Sequence, residues 1–239
     1  MNRTLKILSL FLSYPTRELQ EEIPALKSAL ADDLKGSRNE KLLVKLANDL
    51  ADLDLYDAQE RYVYLFDRTR TLSLHLFEHV HGESRDRGQA MVDLKTMYER
   101  QGFQIDASEL PDFLPLFLEF LSVLPENHGQ ELLGQICHIV TVLKERLKKR
   151  KSVYYNALVV LESLANAKPD KKLVSELLEQ PDDDPDDLEA LDQVWEEEAV
   201  TFGGNAGDNA CGPDRLQRQI RAAARKPQNT ANIQPPAEG

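Results

Sequence analysis

Cysteine is nearly absent: two thiols in 239 residues, Cys137 and Cys211, sit far apart in dissimilar surroundings. They make no disulfide framework, and two thiols alone make no zinc site. The reducing cytoplasm is therefore the expected compartment. Long apolar runs are lacking too. The stretch Ile7 to Leu12 is far too short to cross a bilayer and has no small-residue cleavage site, so neither stable membrane insertion nor export is expected. Strand signals are missing, with no sustained alternation, no Asn-Gly hairpin turn and no internal repeat. Positive charge is outnumbered, 29 Lys and Arg against 41 Asp and Glu, for a net charge of −12. A duplex must be met with clustered Lys and Arg, so no nucleic-acid partner is expected; an acidic surface steers a basic partner inward instead.

What the sequence does contain is helical periodicity, at a hydrophobic content of 41% that suits a globular core. Leu43, Leu46, Leu50 and Leu53 recur at the spacing of one buried helix face. Pro15 and Thr16 read as a turn and N-cap before a helix over Arg17 to Leu30. Asp57 with Glu60 reads as a capping box for a helix through Tyr62, Leu65 and Phe66. A further helix is predicted over Thr71 to Val80, then one from near Ser84 that buries Met91, Leu94 and Tyr98 and ends at a Gly102 C-cap. Pro111 stands where a first-turn proline is tolerated. Phe113 to Leu124 is apolar nearly all round, as a central bundle helix is, with Glu119 its only charge. Leu132, Leu133, Ile136, Ile139, Val140, Leu143 and Leu147 form one stripe closed by the basic run Lys148 to Lys151, and Val153 to Ala165 forms another, ended near Pro169.

The expected fold class is all-α, a single helical bundle over residues 1–178. Residues 179–202 read as an acidic linker, Pro181 to Asp187, followed by a short docking helix around Leu188, Leu191, Val194 and Trp195. The linker is either a plain spacer or a device that speeds the approach of a basic peptide. Residues 203–239 read as a flexible tail. Its basic stretch, Arg215 to Lys226, has a thin apolar side and suits a loosely ordered segment better than a membrane-surface or partner helix. The glycines from Gly203 to Gly207 lack the Gly-Lys-Ser/Thr ending and preceding strand of a phosphate loop.

Three features carry potential chemistry. His75-Leu76-Phe77-Glu78-His79 fits the H-x-x-E-H pattern of inverted zinc peptidases. On a helix its histidines would share one face and Glu78 would be the base, but a third ligand has no independent support, and chance in a polar segment explains the pattern more simply. Glu78 to Gln89 is dense in polar groups, including Glu83 and Arg87 at helical pairing distance; a solvated helix junction is the plain reading and the mouth of a groove the functional one. Glu119, among apolar neighbours, needs a partner: an Arg from the 85–87 segment, or a cation on a bound peptide.

The segment from Leu65-Phe66-Asp67-Arg68-Thr69 through His75-Leu76-Phe77-Glu78-His79 to Glu83-Ser84-Arg85-Asp86-Arg87-Gly88-Gln89-Ala90-Met91 resembles the signature of the NarJ/NarW nitrate reductase assembly chaperones. Leu110-Pro111-Asp112-Phe113-Leu114-Pro115-Leu116-Phe117-Leu118-Glu119-Phe120 resembles it as well, as does Ala190 to Glu198, and the likeness spans about Leu5 to Phe202. The resemblance implies a non-catalytic, all-helical protein of the TorD-like maturation type. It implies binding to the N-terminal segment of the nitrate reductase catalytic (alpha) subunit, in complex with the beta subunit. The apoenzyme would be held in the cytoplasm until molybdenum cofactor and iron–sulfur cluster are inserted and it docks on its membrane partner. Molybdenum cofactor biosynthesis proteins are further expected partners, and the cofactor belongs to the client, so none is retained. Two residues depart from the family pattern: Phe113 replaces a His, and His75 an aliphatic residue.

The expected mode is a basic amphipathic helix laid in a groove. Phe66, Phe77, Met91, Tyr98, Leu116 and Phe120 are the candidate apolar walls, half or more of them expected to be plain core. Glu78, Glu83, Asp86 and Glu119 are candidates to meet the peptide's cations, and Arg68, His79, Arg85, Arg87 and Asp112 complete the candidate set. No metal ligand is assigned.

Overall fold

Local capping sets the start of the first four helices in the computed structural model, which describes residues 2–80, 85–105, 109–165, 167–179 and 186. Asn2 opens α1 (Arg3–Leu12), Thr16 opens α2 (Arg17–Leu34) and Ser37 opens α3 (Arg38–Asp52), each side-chain oxygen accepting from a first-turn N–H. Asp54 caps α4 (Leu55–Phe66) in the same way. Two 3-10 turns follow, Arg70–Leu72 and Leu76–His79, then α5 (Arg85–Arg100) and α6 (Leu114–Val123). The remaining helices are α7 (Glu126–Gln135), α8 (Cys137–Lys149), α9 (Tyr155–Leu164) and α10 (Lys171–Glu179).

The apolar stripe of α1 buries Leu5, Ile7, Leu8, Phe11 and Leu12 and packs against α6, α2 and α9. The short apolar run near the N-terminus is thus the middle of the core. Its ends are pinned by backbone: Asn2 N–H donates to Ser122 O at 2.7 Å, and Tyr62 Oη donates to Leu12 O at 2.9 Å. The other neighbours follow in pairs, α2 on α3, α3 on α9, α8 on α9, α6 on α7, and α10 on α8. Among the described residues no helix is long and apolar enough to cross a membrane.

Four local expectations need correction. Thr71 to Val80 is not one helix but two 3-10 turns on either side of an extended His75. His75 forms an isolated antiparallel bridge with Phe113, in which Leu76 N–H donates to Asp112 O (3.0 Å) and Leu114 N–H to Leu74 O (2.8 Å). Those backbone groups are therefore unavailable for a continuous helical ladder. Asp54, not Asp57, is the cap of α4, and Asp57 lies within its first turn. Pro115, not Pro111, takes the first turn of α6, where its missing N–H costs nothing. The stripe from Leu132 to Leu147 is divided between α7 and α8, with Ile136 leaving helical geometry at φ −94°, ψ 6°.

Gly102 follows α5 with φ +76°, the left-handed conformation that a C-cap glycine supplies. Helix α10, with no forecast of its own in the sequence, begins on an Asp170 cap. The acidic linker (apart from Asp186), the Leu188–Trp195 helix, the Gly203–Gly207 loop and the Arg215–Lys226 stretch lie outside the described residues, as does Glu83.

Candidate functional site

Asp112 organises the segment that carries the longest motif. Its side chain is fully buried, and its two oxygens are divided between two jobs. Oδ2 accepts from the Phe77 backbone N–H at 3.0 Å, tying down the second 3-10 turn, while Oδ1 faces His75 Nδ1 at 3.2 Å. Burial alone would lower the His75 pKa, but the Asp112 hydrogen bond and charge, helped by Glu78, raise it above the ordinary value. The His75 ring also lies 5.3 Å from the ring of Phe113.

His79 behaves in the opposite way. Its Nε2 is 2.8 Å from Ser73 O, so that nitrogen carries the proton and donates. Burial pushes its pKa below the ordinary value, with the nearby Arg146 charge acting in the same direction. The two imidazoles are thus engaged by different groups and sit at the two ends of a 3-10 turn rather than on one α-helical face. No cluster of three or more His, Cys, Asp or Glu able to hold a metal occurs among the described residues. The H-x-x-E-H zinc reading lacks its helix and its third ligand.

The candidate residues divide by burial. Phe66 is 3% exposed, Phe77 1%, and Tyr98 and Phe120 0%. Phe66 clusters with Tyr62 and Tyr154, Tyr98 and Phe120 cluster with Phe103, and Phe77 lies in the same hydrophobic core. The Tyr98 hydroxyl donates to Pro111 O at 2.7 Å, so it is satisfied inside the core. These four rings therefore wall no open trough in this structure, because the core has already taken them. Met91 and Leu116 are only partly buried and rest against that core.

Apart from the buried Asp112, the described charged candidates lie at or near the surface. Arg68 is exposed, its guanidinium 5.9 Å from the Tyr64 ring; Asp86 is exposed; Glu78 and Arg87 are half-buried and paired at 3.2 Å. Arg85 opens α5. Glu119 is not sunk in apolar surroundings and pairs with Lys6 of α1 instead of an Arg from the 85–87 segment. That pairing follows from the packing of α1 along α6, which brings a basic and an acidic position opposite each other.

Arg146 was not singled out in the sequence and proves central. It is 3% exposed, and its guanidinium donates to Thr71 O (2.6 Å) in the first 3-10 turn and to Leu177 O (2.7 Å) near the end of α10. A cation inside the Leu143 to Leu147 stripe was the available signal. Beside this junction a cleft of about 10 Å³ lies between Leu76, Phe77 and Val80 on one side and Gln135, Ile136, His138 and Ile139 on the other. A second, of about 40 Å³, lies between α1, α6 and α7. The first has room for about one water and the second for a few, far below what a ligand pocket requires.

Comparison with known proteins agrees with this architecture. The nitrate reductase delta subunit family model matches residues 16–160. The nitrate reductase molybdenum cofactor assembly chaperone NarJ of Escherichia coli strain K12 is 42% identical over 223 residues, 92% of either chain. The probable chaperone NarW of the same strain is 43% identical over 198 residues, 83% of either chain. A probable NarJ of Bacillus subtilis is 33% identical over 164 residues, covering 68% of this chain and 89% of that one. This chain therefore belongs to the nitrate reductase delta subunit family of helical assembly chaperones, and is not a catalytic enzyme.

Proposed function

We propose that this protein binds the N-terminal segment of the nitrate reductase catalytic (alpha) subunit, in complex with the beta subunit, and holds the apoenzyme in the cytoplasm. It does so while molybdenum cofactor and iron–sulfur cluster are inserted, and releases the client before membrane docking. The observation that carries this reading is the 42% identity to an assembly chaperone over 92% of both chains. Molybdenum cofactor biosynthesis proteins are its natural further partners, since they supply what the client must receive.

The physical chemistry supports a peptide-binding rather than a cofactor-binding role. A net charge of −12 favours approach by a basic segment. The exposed or half-exposed candidates, Arg68, Glu78, Asp86, Arg87, Met91, Leu116 and Glu119, offer charge and shallow apolar contact. With clefts this small, the client's apolar residues require part of the surface to open. Such binding remains reversible, as release demands; micromolar affinity, roughly −8 kcal/mol, suffices for recognition.

Titration calorimetry with a synthetic peptide of the catalytic subunit's N-terminal segment tests the proposal. The expected result is saturable heat that weakens as salt is raised. Heat no greater than that from a scrambled peptide would remove the reading.

A further inference from the structure

Helix α10 differs from the others in how it is attached. No residue of α10 is buried, although Leu173, Val174, Leu177 and Leu178 place four apolar side chains on one side of it. The segment leading into it is tied to α8 by Cys137 Sγ donating to Ala167 O at 3.6 Å, and its last turn by Arg146 donating to Leu177 O at 2.7 Å. Those two pairings advance together along both segments, so α10 runs parallel to α8. Its helicity is supported internally: the Asp170 carboxylate accepts from Lys172 N–H at 2.9 Å, and Lys172 pairs with Glu176 at 3.5 Å.

The Arg146 contact shows what this seat recognises. Leu177 O belongs to the last four carbonyls of its helix, which have no intrahelical partner and carry the negative end of the helix dipole. A buried guanidinium aimed at such a carbonyl reads main chain and helix polarity, not side-chain identity. The seat's basic end, with Arg146, Lys148 and Lys149 in the last turn of α8, adds to the preference for a helix C-terminus. The same guanidinium bonds Thr71 O, so the seat is continuous with the 3-10 segment that carries the longest family motif. The family match ends at residue 160, so the seat on α8 lies within it and α10 beyond it, in a stretch shared with the NarJ relative.

We propose that α10 is an internal competitor for the client: the strip of α8 and the first 3-10 turn that it covers is the docking seat of the client's N-terminal helix, and α10 lifts for that helix to bind. The inference rests on the peptide-binding reading above and adds its regulation. The client helix lies parallel to α8 and ends at Arg146, taking over the hydrogen bond that Leu177 O gives up. Apparent affinity is reduced by the fraction of molecules with the seat open, so weakening α10 tightens client binding.

The test uses the full chain carrying Val174→Glu with Leu178→Glu, which places charge on the docking side of α10. Calorimetry with the catalytic subunit's N-terminal peptide is expected to show binding about tenfold tighter than wild type. A synthetic peptide of residues 168–179 is expected to compete with the client peptide on that variant. Should the double variant lose its helical circular dichroism, Asp170→Ala frays α10 from its exposed cap and is expected to tighten binding about fivefold. Unchanged or weaker affinity in the folded variants, with no competition in trans, overturns the competitor role and leaves the client reading intact. Absence of client binding to wild type and variants alike overturns both.

Discussion

His75 and Asp112, 37 positions apart in sequence, meet with Nδ1 3.2 Å from Oδ1, and this contact joins the 3-10 segment to the entry of α6. Asp112 is inaccessible and also takes the Phe77 N–H. Replacing it with Ala strands that buried donor, at a cost of about 1–3 kcal/mol. Urea unfolding should show the loss as a lower midpoint with little change in slope.

The two histidines of the segment should give opposite pH responses. The raised pKa of His75 means that its stabilisation is fully present below the unfolded value of about 6.5 and is lost as pH rises through the folded value. The lowered pKa of His79 means that its contribution is present above about 6.5 and is lost as pH falls through the folded value. His75→Ala should therefore destabilise more at pH 5.5 than at pH 8, and His79→Gln should flatten the acid limb. Thermal melts across that range check both signs.

Core and surface candidates should separate cleanly on mutation. Phe120→Ala empties a fully buried site and is expected to cost about 3–5 kcal/mol. Tyr98→Phe, which removes only the hydrogen bond to Pro111 O, should cost about 1 kcal/mol. Met91→Ala and Leu116→Ala, at partly exposed positions, should cost less than Phe120→Ala while weakening peptide affinity. Denaturation midpoints set beside calorimetric affinities make the comparison.

Glu119→Gln removes the Lys6 pair, in which both side chains remain about a third exposed (33% and 38%). The expected cost is under about 1 kcal/mol and should shrink in high salt. A larger, salt-independent loss would mean that the pair locks α1 to α6 more firmly than its exposure indicates.

Local signals in the sequence located the parts of the fold that local physics decides. Thr16, with a side-chain oxygen ahead of an apolar-periodic run, marks α2 correctly, and the Leu43 to Leu50 spacing marks the buried face of α3. Phe113 to Leu124 announced a central helix because almost nothing in it tolerates water. The 3-10 segment escapes a local reading because its hydrogen bonds are made with Asp112 and Leu114, partners no window around His75 contains. A clue was present: Leu72, Leu74 and Leu76, all buried, alternate with the period of an extended chain. Glu119 and Arg146 fail for a shared reason, since the partner of a charge is chosen by which helices pack together. The aromatic candidates were found by residue type, which does not distinguish a ring lining a groove from one filling the core.

The central position of α1 bears on how this chain is made. Besides the adjacent α2, its partners α6 and α9 are drawn from residues 114–164, so most of the polypeptide must leave the ribosome before the first helix is fully enclosed. Until then Leu8, Phe11 and Leu12 stay open to solvent or to other chains. A member of an assembly-chaperone family thus passes through a vulnerable stage of its own, with its earliest segment enclosed only once much later ones arrive.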